Sequence, residues 1–254
     1  MKNGNIRSAI VLCGGMSRRM GEDKGSMIIN KKPMILHILE TLNNQIDEAI
    51  LVLNNSERIA KYKKIIKNYF RDDLKNELSY NLVLFEDEIK NHGPLSGIMT
   101  GLENISSNYA LVLPCDSPFV NENFINFMFD SLDSKIATEG DNDKSKDNHL
   151  NDIDVNIDAI VPYHYKNKES NEYNNFNNKN NFFLNNEDES IKNFSLNNSE
   201  PLHSIYRKNN SKNIRKLLNS NIHDVKSLLR CLNSYFVLIN DENTFKNINS
   251  KEDI

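Results

Sequence analysis

Four short apolar runs, at residues 9–12, 49–53, 82–85 and 110–113, punctuate the first half of the chain, with helix-like stretches between them. Each run is apolar at consecutive rather than alternate positions, which marks a strand covered on both faces. The stretches between them carry their apolar residues at helical spacing. Met34, Ile35, Ile38, Leu39 and Leu42 follow Pro33, which suits a first helical turn, and Ile59, Tyr62, Ile65, Ile66 and Tyr69 follow Ser56, a residue that caps helices well. Residues 97–102 open a further helix. This alternation predicts an α/β fold of three layers, a mostly parallel, Rossmann-like sheet flanked by helices. Ligands of such sheets bind beyond the carboxyl ends of the strands.

The first run empties into Leu12, Cys13, Gly14, Gly15, Met16, Ser17, Arg18, Arg19, Met20, Gly21, Glu22, Asp23 and Lys24. Two adjacent glycines remove the side chains that would keep a backbone off a ligand, and Ser17, Arg19 and Lys24 offer donors to anionic oxygens. A tight strand-to-helix turn also uses glycine for steric reasons alone, but a loop that only turns has no need of the cations. The spacing excludes two familiar phosphate loops. Glycine is not followed four residues later by Gly-Lys-Ser/Thr, and Gly-x-Gly-x-x-Gly is absent after this strand.

A second informative stretch, Leu113, Pro114, Cys115, Asp116, Ser117 and Pro118, delivers a carboxylate to the end of an apolar strand between two turn-stiffening prolines. Mg²⁺ is commonly held by one or two protein carboxylates plus substrate phosphates, so Asp116 alone suffices as its protein ligand, although an aspartate before Ser-Pro also serves as a turn or cap. In a third stretch Pro94 fixes a turn, and Gly97 and Gly101, four residues apart, share a helix face that either a packed backbone or a flat ligand can approach. Asn54 or Asn55, past the second strand, and Asp87, past the third, are polar groups at strand ends.

Composition bounds the remaining choices. At 254 residues and 38% hydrophobic the chain can bury one good core. No apolar run reaches the roughly 18 residues that span a bilayer. The polar first seven residues lead straight into a strand, so no signal peptide is expected and the protein is read as cytoplasmic. Three scattered cysteines, Cys13, Cys115 and Cys231, read as reduced thiols rather than a zinc set. A formal net charge of −4 argues against nucleic-acid binding. Residues 134–158 are polar and charged, and residues 166–200 are about one-third asparagine. Such tracts lack the aliphatic surface to offset their ordering entropy, so they are expected to be insertions, on either side of a fifth strand at 159–162, in a single domain covering residues 1–254. Order is expected again from Pro201, with a helix near residues 211–218 and a last short helix capped at Ser250.

Taken together, the opening loop resembles the signature of the molybdenum cofactor guanylyltransferases, Leu-Ala-Gly-Gly-x-Ser-x-Arg-Met-Gly-x-Asp-Lys, within the wider nucleotidyltransferases. It departs at one position, Cys13 for alanine. The Pro-Cys-Asp-x-Pro pattern at 114–118, the Gly-Pro-Leu-Ser-Gly block at 93–97, Pro201-Leu202-x-x-x-Tyr206 and Asn247-Ile248-Asn249-Ser250 are similar to further motifs of that family. The likeness covers residues 8–132 and 201–254. Where the family has Gly-Lys-Pro, this chain has Lys31-Lys32-Pro33, so the turn there falls to a residue such as Asn30 that tolerates positive φ. The resemblance implies transfer of GMP from GTP to molybdopterin with release of pyrophosphate. It implies Arg19, Lys24 and Asp116 as catalytic groups, Mg²⁺ on Asp116, and nucleotide contacts from Leu12, Cys13, Gly14, Gly15, Ser17, Lys24, Asn54, Asp87, Gly97 and Asp116. Molybdoenzymes or cofactor-insertion proteins are the expected recipients. A cytidylyltransferase for the same pterin, another guanylyltransferase, or a non-catalytic nucleotide-binding protein are the alternatives.

Overall fold

A computed structural model describes residues 6–14, 23–70, 77–90, 92–142, 156–164, 183–184 and 189–248. Gly15, Ser17, Arg19 and the cap at Ser250 lie outside the described residues.

The four apolar runs are β1 (Ser8–Cys13), β4 (Glu48–Leu53), β5 (Asn81–Glu86) and β6 (Tyr109–Pro114), and they pair in parallel in the order β5-β4-β1-β6. The chain therefore winds outward from β1 and returns past it to β6, which puts the reversal of strand order between β1 and β6. The sheet continues through β9 (Ile205–Arg207), antiparallel to both its neighbours, to β7 (Ala159–Tyr163) and β10 (Ser234–Leu238), which are parallel to one another. The two-residue β8 (Phe183–Leu184) forms the antiparallel edge. The mostly parallel sheet is the one expected, and β9 is its main departure. Three residues are too short a run to announce a strand.

Period-two alternation along β1 splits the core. Ala9, Val11 and Cys13 face one cluster with Ile35, Leu39 and Tyr62, while Ile10 faces another with Ile98, Met99 and Leu228. The first cluster is covered by α1 (Met34–Thr41), α2 (Ser56–Tyr69) and α4 (Glu122–Asn142), the second by α3 (Gly93–Asn104), α5 (Glu189–Asn198), α6 (Asn210–Asn219) and α7 (Val225–Arg230). On α3, a Cβ on Gly101 would overlap Ile10 Cγ2 and one on Gly97 would fall 3.0 Å from Leu12 Cδ2, so both glycines let the helix sit close on β1.

Local details differ from the sequence reading in instructive ways. Asn55, not Ser56, caps α2, its side chain accepting from Arg58 N at 2.8 Å. Pro33 pairs with Ile28 in the hairpin of β2 (Ile28–Ile29) and β3 (Lys32–Pro33) and stands just before α1 rather than in its first turn. Helix α3 begins four residues earlier than the glycine spacing marks, at Gly93, whose φ of +70° explains a glycine before Pro94. Helix α4 was not anticipated, and it runs on to Asn142, inside the first polar tract. The asparagine-rich tract holds α5, where Ser195 and Leu196 are buried.

Candidate active site at the strand reversal

The carboxyl ends of β1 and β6 stand side by side, joined by Cys115 N–H donating to Leu12 O at 3.0 Å. Gly14 emerges from the first and Asp116 from the second. Lys24, in a single 3₁₀ turn (Lys24–Ser26), closes the arrangement: its Nζ lies 2.8 Å from Asp116 Oδ2, with both side chains about four-fifths buried. Two residues 92 positions apart are thus in direct contact. Oδ1 of Asp116 makes no hydrogen bond among the described residues, which leaves the carboxylate an acceptor oxygen besides the one that holds Lys24.

Lys24 is aimed by its predecessor. Asp23 accepts from Arg58 through both carboxylate oxygens, at 2.5 and 3.3 Å, and from the Tyr62 hydroxyl at 2.7 Å, with Lys61 Nζ 3.7 Å away. Arg58, Lys61 and Tyr62 all come from α2. Burial, reinforced by the nearby Cys13, Cys115 and Asp23, pushes the Tyr62 hydroxyl far above its ordinary range, so it acts only as a neutral donor. Desolvation alone would lower the pKa of Arg58, but the Asp23 carboxylate more than offsets it and the guanidinium stays charged. A Cβ on Gly25 would meet the Tyr62 hydroxyl and crowd Cys115 Sγ at 3.3 Å, so the turn after Lys24 requires glycine. None of Asp23, Gly25, Arg58 and Tyr62 stood out as site residues. Two of them carried a signal of another kind: Asp23 as the aspartate of the loop signature and Tyr62 as one of the apolar-face positions of α2.

The other predicted residues divide. Asn54 donates to Gly14 O at 2.5 Å, whereas the Asn55 side chain is committed to its helix cap; of the two, Asn54 is the one turned to the loop. Asp87 is buried, and its Oδ1 accepts from Ser96, Thr100 and Ile89 N, which anchors α3 to the end of β5. Burial raises the Asp87 pKa, partly offset by those hydrogen bonds. Gly97 is seated against Leu12. On the far side of Asp116, Ile248 N donates to Asp116 O at 2.9 Å and Ser117 Oγ to Asn247 Oδ1 at 2.5 Å, which ties the late Asn247-Ile248 motif to the aspartate turn. The Tyr206 hydroxyl donates to Pro201 O at 2.8 Å, so the Pro-Leu-x-x-x-Tyr motif closes on itself beside β6.

Among the described residues no three histidine, cysteine or carboxylate side chains converge as a metal cage. A lone carboxylate at a strand end suits Mg²⁺, which keeps several waters and takes its remaining ligands from phosphates. Asp116 is the residue that would hold it.

A doubly wound sheet with a glycine turn, a lysine and an aspartate meeting where the strand order reverses has the architecture of the nucleotidyltransferase fold. Molybdopterin-guanine dinucleotide biosynthesis protein A from Archaeoglobus fulgidus has this fold, with a TM-score of 0.60 at 17% identity over 97% of this chain and 94% of that one. So does a nucleotidyl transferase from Methanothermobacter thermautotrophicus, with a TM-score of 0.60 at 13% identity over 98% and 94%. The chain belongs to the MobA-like NTP transferase family, whose model matches residues 9–234. A probable molybdenum cofactor guanylyltransferase of M. thermautotrophicus is 36% identical over 120 residues, 47% of this chain and 55% of that protein. The molybdenum cofactor guanylyltransferase of Haemophilus influenzae (strain KW20) is 35% identical over 134 residues, 52% and 59% respectively. The matches thus span a little over half the length of these curated relatives.

Proposed function

We propose that the protein transfers GMP from GTP to molybdopterin, giving the guanine dinucleotide form of the cofactor and pyrophosphate. The observation that carries this reading is the contact of Lys24 with Asp116 at the strand reversal. GTP lies across the carboxyl ends of β1 and β6 with its base near Leu12, Cys13 and Gly14 and its phosphates toward Lys24, with Gly15, Ser17 and Arg19 completing the cradle. Asn54, Asp87 and Gly97 border the nucleoside. Lys24 and Arg19 neutralise the phosphate oxygens. When bound at Asp116, Mg²⁺ supplies charge stabilisation to those oxygens. An oxygen of the molybdopterin phosphate forms the new bond to the α-phosphorus, the α–β anhydride bond breaks, and pyrophosphate leaves. The nucleophile is already an anion, so the chain has no proton to remove and acts by position and charge.

By the same resemblance the Pro201-Leu202-x-x-x-Tyr206 motif is assigned to the pterin side and the Asn247-Ile248 motif, which is bonded to the Asp116 turn, to the metal or product. We place the activity in the cytoplasm, in keeping with three free thiols, and molybdoenzymes or insertion proteins as recipients of the product. No helix among the described residues is long and apolar enough to cross a membrane. Pyrophosphate release with molybdopterin and each of GTP, CTP and ATP tests the reading. Turnover with GTP is expected; turnover with CTP alone, or with none, overturns it.

A further inference from the structure

Cys13 ends β1 and Cys115 directly follows β6. The parallel register pairs Leu12 with Pro114, so the next pair is Cys13 with Cys115. Both are free thiols, 0% and 6% exposed, and both side chains enter the same core cluster. Burial, and next to it the neighbouring Cys115 thiol, pushes the Cys13 thiol well above its ordinary range, so the two groups sense one another across the strand pair. Neighbouring strands stand about 4.8 Å apart, inside the roughly 4.4–6.8 Å window of Cα separations that a disulfide bridges. The pair exists because residue 13 is cysteine where the related signature has alanine.

We propose that Cys13 and Cys115 are a disulfide-forming site, oxidised by peroxide, that takes the nucleotide site out of action reversibly. Cys115, the outer thiol, is oxidised to a sulfenic acid as the peroxide O–O bond breaks and one water leaves. The Cys13 sulfur then attacks that sulfur, the S–O bond breaks, and a second water leaves. Overall two thiols give up two protons and two electrons, and hydrogen peroxide becomes two waters. A dithiol reductant reverses the step by exchange.

The bond bears on the site because of what each cysteine precedes. Gly14 follows Cys13 and holds Asn54, while Asp116 follows Cys115 and holds Lys24. Cys115 Sγ lies beside Gly25, the residue after Lys24. A bond of about 2.05 Å between the sulfurs therefore ties rigidly to one another the two turns between which a triphosphate must fit.

The test uses the full chain carrying Cys231→Ser, which removes the exposed third thiol. It is treated with hydrogen peroxide, and intact mass, peptide mapping and GTP-dependent pyrophosphate release are followed before and after dithiothreitol. Expected are loss of two hydrogen masses, a linked Cys13–Cys115 peptide, and a fall in rate of about tenfold or more that dithiothreitol restores. In the same background Cys13→Ala is expected to keep its own untreated rate. Both thiols staying reduced, over-oxidation of Cys115 without a link, a linked protein at full rate, or equal loss in Cys13→Ala each overturns the proposal. The mass and peptide readouts do not depend on which nucleotide is used, so a wrong substrate assignment is told apart from a wrong disulfide.

Discussion

Asp23 shows how one largely buried carboxylate can brace the lysine next to it. Its carboxylate is gripped by a guanidinium and a phenol from α2, and the next residue is Lys24. Removing the guanidinium leaves a carboxylate that is only 12% exposed without its main partner, a loss of about 3 kcal/mol for a buried pair. Arg58→Ala is therefore expected to lower the urea midpoint and to cut kcat on the order of 10–100-fold through a misplaced lysine. Arg58→Lys, which keeps charge but not the two-pronged contact, is expected to recover most of the stability and little of the rate. That split separates positioning from mere folding. His203 makes a different point. It is fully buried between Phe124 and Phe245, and neither ring nitrogen has a hydrogen-bond partner among the described residues. Burial, and to a lesser degree His164, holds its pKa down to about 3 against an ordinary 6.5. The unfolded chain takes up a proton through that window which the folded chain refuses. The stabilising contribution of a neutral His203 is whole above pH 6.5 and is lost on acidification toward pH 3, by at most about 1.4 kcal/mol per pH unit. Urea midpoints measured down that window are expected to fall less steeply in His203→Phe than in the wild type.

At the scale of the element, the β2–β3 hairpin carries a measurable fault. Its two-residue turn has Asn30 at φ 47° and Lys31 at φ 71°, the mirror-image turn that matches the strand twist and favours Asn-Gly. The sequence reading assigned the turn to Asn30 in place of the missing glycine; the second left-handed residue, Lys31, stands where that glycine would be. Lys31→Gly is expected to stabilise by about 1 kcal/mol, read as a raised thermal or urea midpoint with little change in rate. Helix α3 gives the opposite case. A Cβ at Gly101 meets Ile10 inside a fully packed interface, so Gly101→Ala is expected to cost roughly 1–3 kcal/mol. Elements were legible where one face or both are apolar over several residues, as in β1, β4, β6 and the buried face of α1. They were not legible where the signal is local or compositional. A three-residue β9 is defined only by its neighbours, and α5 is helical within an asparagine-rich tract because Leu196 and Ser195 find a core to enter.

At the scale of the molecule, the strand order matters more than any single strand. Because β6 returns beside β1, residues from the start and the middle of the chain meet at one crevice, and the late Asn247-Ile248 segment is fastened to its rim. The sequence could place Gly14, Lys24 and Asp116 at strand ends, since an apolar strand carries its next residues to the edge of the sheet. It could not show the braces, because Arg58 and Tyr62 become neighbours of Asp23 only when α2 packs on the sheet. Lys24 and Asp116 are proposed to carry guanylyl transfer together. The most direct measurement is pyrophosphate release from GTP and molybdopterin in the presence of Mg²⁺ by the wild type, Lys24→Ala and Asp116→Ala, with circular dichroism confirming that each is folded. The expected result is turnover by the wild type and none above background by either folded variant; near-normal turnover by Asp116→Ala would contradict the account.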